Sequence, residues 1–345
     1  ARLRGRGRGL RPAGGARVIV TVTLNPSLDR TIEVASLVPG GVNRALRTRL
    51  DPGGKGVNVT RALLANGHAS RAVVPLGGPD GNELATLLAA ERVDVVAVPV
   101  AGSTRSNVTV AEADGTVTKL NEPGASLTEE ELTTITGHVL EQSSPGDWVV
   151  LCGSLPPGVD AGEYAAMTKL LQSSGRRVAV DTSGPALAHA VAAAPDLVKP
   201  NRVELAEVVG RDLDSLAEIL AAAHEVHDRG VAHVLVSLGG DGAVLVGGED
   251  PAADGDLVGT SRVDHPRSTV GAGDAFLAGY LSVVAAEHTP PGADGRSRAL
   301  LEALAWGAAA VRLPGSLMPT PADIDLSAAQ ILAAPDLHAR LAPAS

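Results

Sequence analysis

The chain has 345 residues, 44% of them hydrophobic, a single cysteine and a formal net charge of −10. That is enough for a large core, but with five aromatic residues its volume has to come from Val, Leu, Ile and Ala, as in a strand–helix alternation around a parallel sheet. The acidity disfavours nucleic acid as a partner, one cysteine excludes an internal disulfide or a cysteine-rich zinc site, and no apolar run approaches the roughly 20 residues of a membrane span.

Residues 1–16 are rich in Arg and Gly and read as a disordered tail. The first 17 residues carry six Arg and no acid, so the rest of the chain stands near −16. No aromatic residues interleave as in an RNA-binding arm, and no apolar region follows as in a secretory signal. The expected location is the cytoplasm.

Arg17 to Leu24 reads as a buried strand. Residues 31–34 and 43–50 are short and polar on one side, like strands with a solvated face. Gly53-Gly54-Lys55-Gly56 opens a helix, and a strand at 71–75 and a helix at 80–92 follow. Residues 106–120 alternate around Asp114-Gly115, a hairpin signal. From there the pattern is regular: helix 128–142, strand 147–151, helix 160–174, strand 177–181, helix 184–194, strand 196–199, helices 202–209 and 214–229, strand 233–238. A strand at 242–247 follows so closely that the spacing predicts one antiparallel pair. Helices 272–286 and 296–311 finish the core. Segments 248–256 and 288–296 read as surface loops, and 336–345 as a C-terminal tail. The sum is one α/β domain over 17–335 with a small strand-rich flap inserted near 30–50 and 104–121.

The segment Ser268-Thr-Val-Gly-Ala-Gly-Asp274 precedes an apolar stripe of Phe276, Leu277, Tyr280, Leu281 and Val284. Gly271, Ala272 and Gly273 therefore sit where the first amides of a helix lack an internal acceptor, a ready anion site. A carboxylate in that same turn would repel a phosphate unless its task is to take a proton. The combination suits phosphoryl transfer, with amides holding the γ-phosphoryl and Asp274 deprotonating the attacking hydroxyl. A second reading makes Asp274 a helix cap.

Gly53-Gly54-Lys55-Gly56-Val57-Asn58 is another glycine turn into a helix, now carrying a cation, and it lacks the Ser or Thr of a Walker A loop. Lys199-Pro200-Asn201-Arg202-Val203-Glu204 starts a helix after a strand; Asn201 and Glu204 fit a capping box and are also compatible with a place near Mg²⁺ and nucleotide phosphates. Segments 153–158 and 236–242 end strands, where open α/β sheets put ligands. The nine histidines show no paired-ligand spacing, and Cys152 reads as a packed thiol.

Together these segments resemble the PfkB, or ribokinase-like, carbohydrate kinases. The two signatures stand as GGKGVNVTRALLANG and STVGAGDAFLAGYL. The stretches TLNPSLDRTIEV, RSNVTV, GSLPPGV, KPNRVEL and VSLGGDGA resemble the hexose-phosphate kinase branch. The resemblance implies a three-layer α/β/α domain with a mostly parallel sheet and a small β-sheet lid. It implies Asp274 as base and Gly271, Ala272 and Gly273 as anion hole. Asp29 would hold sugar hydroxyls, Gly53, Gly54, Lys55 and Asn58 would line the sugar-phosphate pocket, and Arg105 would contact the substrate phosphate. Asn201 and Glu204 would orient Mg·ATP, with Glu204 on Mg²⁺ through water, and Ser237 with Gly239 would line the nucleotide site. Asp29, Lys55 and Arg105 also have plain readings as a turn former and surface charges.

The expected activity is ATP- and Mg²⁺-dependent phosphorylation of a ketohexose monophosphate, fructose 1-phosphate first. Lys55 favours the 1-phosphofructokinase type over the minor 6-phosphofructokinase type. It does not separate it from tagatose-6-phosphate kinase. A nucleoside kinase would want an uncharged acceptor pocket, and a non-catalytic sugar-phosphate sensor could dispense with Asp274. The resemblance also allows a homodimer through the lid.

Overall fold

A computed structural model describes residues 17–248, 255–286 and 292–342. The 1–16 segment, residues 249–254 of the 248–256 loop and residues 288–291 of the 288–296 loop lie outside the described residues. Fourteen strands are seen among those described: β1 (Ile19–Thr23), β2 (Ser27–Val34), β3 (Arg47–Gly53), β4 (Ser70–Leu76), β5 (Val95–Pro99), β6 (Arg105–Glu112), β7 (Val117–Asn121), β8 (Trp148–Cys152), β9 (Arg177–Asp181), β10 (Leu197–Val198), β11 (His233–Ser237), β12 (Ala243–Val246), β13 (Leu257–Ser261) and β14 (Ala329–Ile331). The helices are α1 (Lys55–Ala65), α2 (Gly78–Ala90), α3 (Glu129–Gln142), α4 (Glu163–Ser173), α5 (Gly184–Ala192), α6 (Arg202–Val209), α7 (Leu216–Asp228), α8 (Ala272–Val284) and α9 (Ala293–Arg312).

Ten strands form one sheet in the order β14-β13-β12-β11-β10-β9-β8-β1-β4-β5. The run from β5 to β11 is parallel, and the last three strands turn antiparallel. The expected antiparallel partner of β11 is there as β12. Alternation along the central strands feeds two cores. Val20 and Val22 of β1, with Val149 and Leu151 of β8, meet Ile135 of α3, Tyr164 and Met167 of α4, Leu187 of α5 and Ile219 of α7. Ile19, Trp148, Val150 and Cys152 face the other way, onto Val59 and Leu63 of α1, Leu277 and Leu281 of α8 and Leu300 of α9. This is the period-two logic of a strand buried on both faces, and it yields the three layers the resemblance implies.

The other four strands form a separate sheet, β3-β2-β6-β7. Its outer hairpin turns at Asp114-Gly115 as the alternation predicts, Asp114 Oδ1 accepting from the Thr116 amide at 2.9 Å. The flap strands differ in extent from the expectation: β2 begins at Ser27 and β3 runs on to Gly53. Cross-strand pairing, which a single strand's pattern does not reveal, extends the first and shifts the second, leaving residues 43–46 outside any strand. Strands β5, β13 and β14 lie where no strand was expected; all three are short, and β13 carries Gly259 at its centre. Residues 293–296, expected in a loop, belong to α9.

The 336–342 segment, set apart as a tail, runs against the body. The Ala217 amide donates to Leu337 O, the Leu341 amide to Asp214 O, and the Ala342 amide to Asp241 Oδ2. No helix among the described residues is long and apolar enough to cross a membrane.

Candidate active site

The functional groups collect at the carboxyl ends of the parallel strands. Ligands of open α/β sheets gather there, where strand order reverses. Here β1 has β4 on one side and β8 on the other. Strand β9 ends in Asp181, β10 leads into Lys199, and β11 ends in Ser237.

Asp274 occupies the first turn of α8 and is buried, 7% exposed. The helix begins after Gly271, whose φ of 77° is left-handed and comfortable only for glycine. The Ala272 amide donates to Thr269 O at 3.3 Å and the Asp274 amide to Gly271 O at 3.1 Å. Among the described residues the amides of Gly271 and Gly273 face no acceptor, so the expected three-amide hole narrows to two free donors. Asn58, on α1, donates from Nδ2 to Asp274 Oδ2 at 2.9 Å. The two glycine turns, 216 residues apart in sequence, thus meet at one carboxylate.

A cluster of charge surrounds it. Lys55 Nζ lies 2.8 Å and Lys199 Nζ 3.3 Å from Asp181 Oδ1. Asp181 is fully buried and Lys199 nearly so. Burial works against ionised Asp181, but the two ammonium groups prevail and hold its carboxyl below the usual range. Burial likewise opposes the Lys55 ammonium, but Asp181, Asp274 and Glu204 outweigh it and raise its pKa. Asp274 goes the other way. Burial, aided by the Asp181 charge, overcomes Lys55, Lys199 and the Asn58 hydrogen bond and pushes its carboxyl up to about 6. That is the range suited to a general base at neutral pH.

Asp181 and Lys199 were not among the candidates read from the sequence. Each is a charged residue at the end of a strongly apolar strand, a signal that could have marked them. A Cβ on Gly273 would lie 3.6 Å from Lys199 Nζ, which sets that ammonium beside the free amides.

Asp29, Gly53 and Arg105 lie on the four-stranded sheet, whose β3 leads through Gly54 into Lys55. Pairing aligns Ser27 with both Gly53 and Arg105, and Asp29 with Asn107. Asp29 Oδ1 accepts from Ser27 Oγ at 2.7 Å and Asn107 Nδ2 at 3.1 Å. It sits in strand β2, not in a turn. Gly53 packs so tightly that a Cβ there would come 2.5 Å from Asp29 Oδ2. Arg105 donates to the carbonyls of Asn25 and Glu122 at 3.0 and 3.1 Å, and its Nε is buried without a partner among the described residues. Burial, against the pull of Asp29 and Glu122, lowers its pKa.

Asn201 and Glu204 form the expected capping box. Asn201 Oδ1 accepts from the Glu204 amide at 2.9 Å, and Glu204 Oε2 accepts from the Asn201 amide at 2.8 Å. Asn201 also bridges to Ser237, and Gly239 opens the turn that follows β11. The four nucleotide-site candidates therefore adjoin. Cys152 is a packed thiol at the end of β8, its pKa raised by burial and then by the Asp181 and Asp274 charges.

The chain matches the pfkB family of carbohydrate kinases over residues 22–323. It is 40% identical over 265 residues to a 1-phosphofructokinase of Rhodobacter capsulatus, covering 76% of this chain and 82% of the relative. It is 38% identical over 277 residues to the ATP-dependent 6-phosphofructokinase isozyme 2 of Escherichia coli, covering 78% and 86%. Its structure superimposes on crystalline Escherichia coli phosphofructokinase-2 in complex with potassium with a TM-score of 0.81 at 33% identity, over 89% of this chain and 96% of the other. On a shared fold, shared signatures and these identities, the chain belongs to the pfkB family of carbohydrate kinases.

Proposed function

We propose that this kinase transfers the γ-phosphoryl group of ATP to fructose 1-phosphate, giving fructose 1,6-bisphosphate. The observation that carries the reading is Asp274, a buried carboxylate held near pH 6 beside two free helix amides and two ammonium groups. The acceptor hydroxyl loses its proton to Asp274 as its oxygen bonds to the γ-phosphorus. The β,γ-bridging P–O bond breaks, and its electron pair leaves with ADP. The amides of Gly271 and Gly273, with Lys199 beside them, meet the charge that develops on the phosphoryl oxygens. Lys55 and Arg105 supply positive charge for the substrate phosphate, and Asp29 accepts from sugar hydroxyls.

Mg²⁺ fits the nucleotide side. Glu204 Oε2 is committed to the helix cap, but the carboxylate keeps a second hard oxygen for a water-bridged ion. When bound, Mg²⁺ neutralises charge on the phosphates. The lid exposes Val42, Leu46 and Leu120, apolar side chains that pairing of two copies would cover, with the cytoplasm as the site of action.

The deciding experiment measures ADP release with fructose 1-phosphate, fructose 6-phosphate and tagatose 6-phosphate side by side. Fructose 1-phosphate is expected to give the highest kcat/KM. A higher value for either other sugar reassigns the substrate within the branch, and no turnover of any would leave a sensor.

A pH profile tests the base. With its carboxyl raised to about 6, Asp274 is protonated and idle below that value and ionised above it. The rate should rise with pH through about 6 and then level. Because a sugar phosphate titrates nearby, substrate must be counted as its dianion. A corrected profile that is flat from pH 5 to 8 would remove Asp274 as the base.

A further inference from the structure

Arg61 follows Asn58 by three residues on α1 and so shares its face. Its side chain is only 5% exposed. Nη1 donates to Asn58 Oδ1 at 3.1 Å and to Ser316 O at 3.0 Å, while Nε and Nη2 form a two-armed pair with Glu91 at 2.6 and 3.0 Å. Glu91 caps α2, and Ser316 belongs to the segment whose Met318 packs on Gly271. Arg61 thus ties α2, α1 and that segment together, directly behind the candidate base.

A guanidinium has donors and no acceptor. Whichever end of the Asn58 amide faces Arg61 must therefore be oxygen, and the NH₂ end is turned to Asp274. The NH₂ group in turn matches an ionised carboxylate, which only accepts. A reversed amide would set nitrogen against guanidinium and oxygen against carboxylate, two repulsions in a buried place.

We propose that Arg61, braced by Glu91, is a positioning residue: it locks the Asn58 amide so that Oδ2 of Asp274 is occupied and the acceptor proton is taken on Oδ1. This rests on the reading of Asp274 as the base. Arg61 touches neither substrate nor nucleotide in this account; it acts through Asn58. The charged groups acting on Asp274 from the elements around it are Lys55 of α1, Asp181 at the end of β9 and Lys199 after β10. Arg61→Met leaves all three in place.

The test is a double-mutant cycle of Arg61→Met and Asn58→Ala, read as kcat and as the acid limb of the kcat profile. Arg61→Met should lower kcat roughly tenfold, the size of one hydrogen bond to a charged group. It should also move the acid limb upward by up to about one unit, the same energy read as a pKa. Added to Asn58→Ala, it should change neither quantity further. Arg61→Lys, which keeps the charge and one donor, should recover part of kcat. If Arg61→Met fails to fold, Glu91→Gln at its half-exposed position loosens the same brace and should move the limb in the same direction. An unmoved limb in the variant that folds, or effects of Arg61 and Asn58 that simply add, would overturn the proposal and leave Arg61 a structural staple. Should Asp274→Asn keep its activity, the base assignment fails first; an inactive Asp274→Asn with a normal Arg61→Met overturns the positioning role alone.

Discussion

Asp274→Asn is expected to lower kcat by roughly 10²–10⁴-fold, the usual contribution of a positioned base, while KM for ATP changes little. The same variant should melt at a higher temperature than the native enzyme at pH 8. The sign follows from linkage. A carboxyl whose folded pKa is about 6 binds more protons folded than unfolded between about pH 4 and 6, so its ionisation opposes folding above that window. A neutral amide of the same shape removes that penalty and still accepts the Asn58 hydrogen bond. Loss of activity with a gain in stability is the signature of a strained functional group. A helix-capping Asp274 would show the reverse: nearly full kcat and a lower melting temperature. Initial rates and calorimetry on one preparation decide between them.

Lys199→Met should be the most damaging change at a position the sequence reading passed over. It removes an ammonium that sits against Asp181 and beside the Gly273 amide. A charge left short of its buried partner costs about 1–3 kcal/mol where a second partner survives, as Lys55 does here. On the proposed mechanism the kinetic effect should fall mainly on kcat, because that charge would stand beside the phosphoryl group in transfer. Acid unfolding carries the sign of the effect. Asp181 has its pKa depressed by Lys199 and Lys55, so its ion pairs stabilise the fold above the ordinary carboxylate range. That stability disappears only as pH falls through the depressed value. With Lys199 gone the depression shrinks, and the acid midpoint should move to higher pH. A variant with native stability and native kcat would mean that Lys55 alone satisfies Asp181 and that Lys199 plays no part in transfer.

The body of the fold was largely legible in the residues, because buried parallel strands and amphipathic helices write strong periodic signals. Helix α3 carries its own start signal: Thr128 and Glu131 cap each other as their spacing suggests. Asn201 and Glu204 do the same at α6. The lid was legible as strands but not in register, since pairing of Asp29 with Asn107 depends on residues about 78 apart. The site divided along the same line. Asp274, Lys55 and Asn58 stand in glycine turns and could be singled out locally. Asp181 follows Arg177-Val-Ala-Val with no motif of its own, and only the sheet order brings it to Lys55, 126 residues away. The two free amides were anticipated as three, because the Thr269 carbonyl that occupies Ala272 lies in an irregular turn that no periodicity describes.

Between the last residue of β3 and the first of α1 stands Gly54 alone, its φ near 120° and its backbone pressed toward the methyl of Thr23. The four-stranded sheet and the helix that bears Lys55 and Asn58 are thus joined through one residue. A side chain at that residue, with its positive φ and its close approach to Thr23, would therefore disturb the end of the sheet and the head of the helix together.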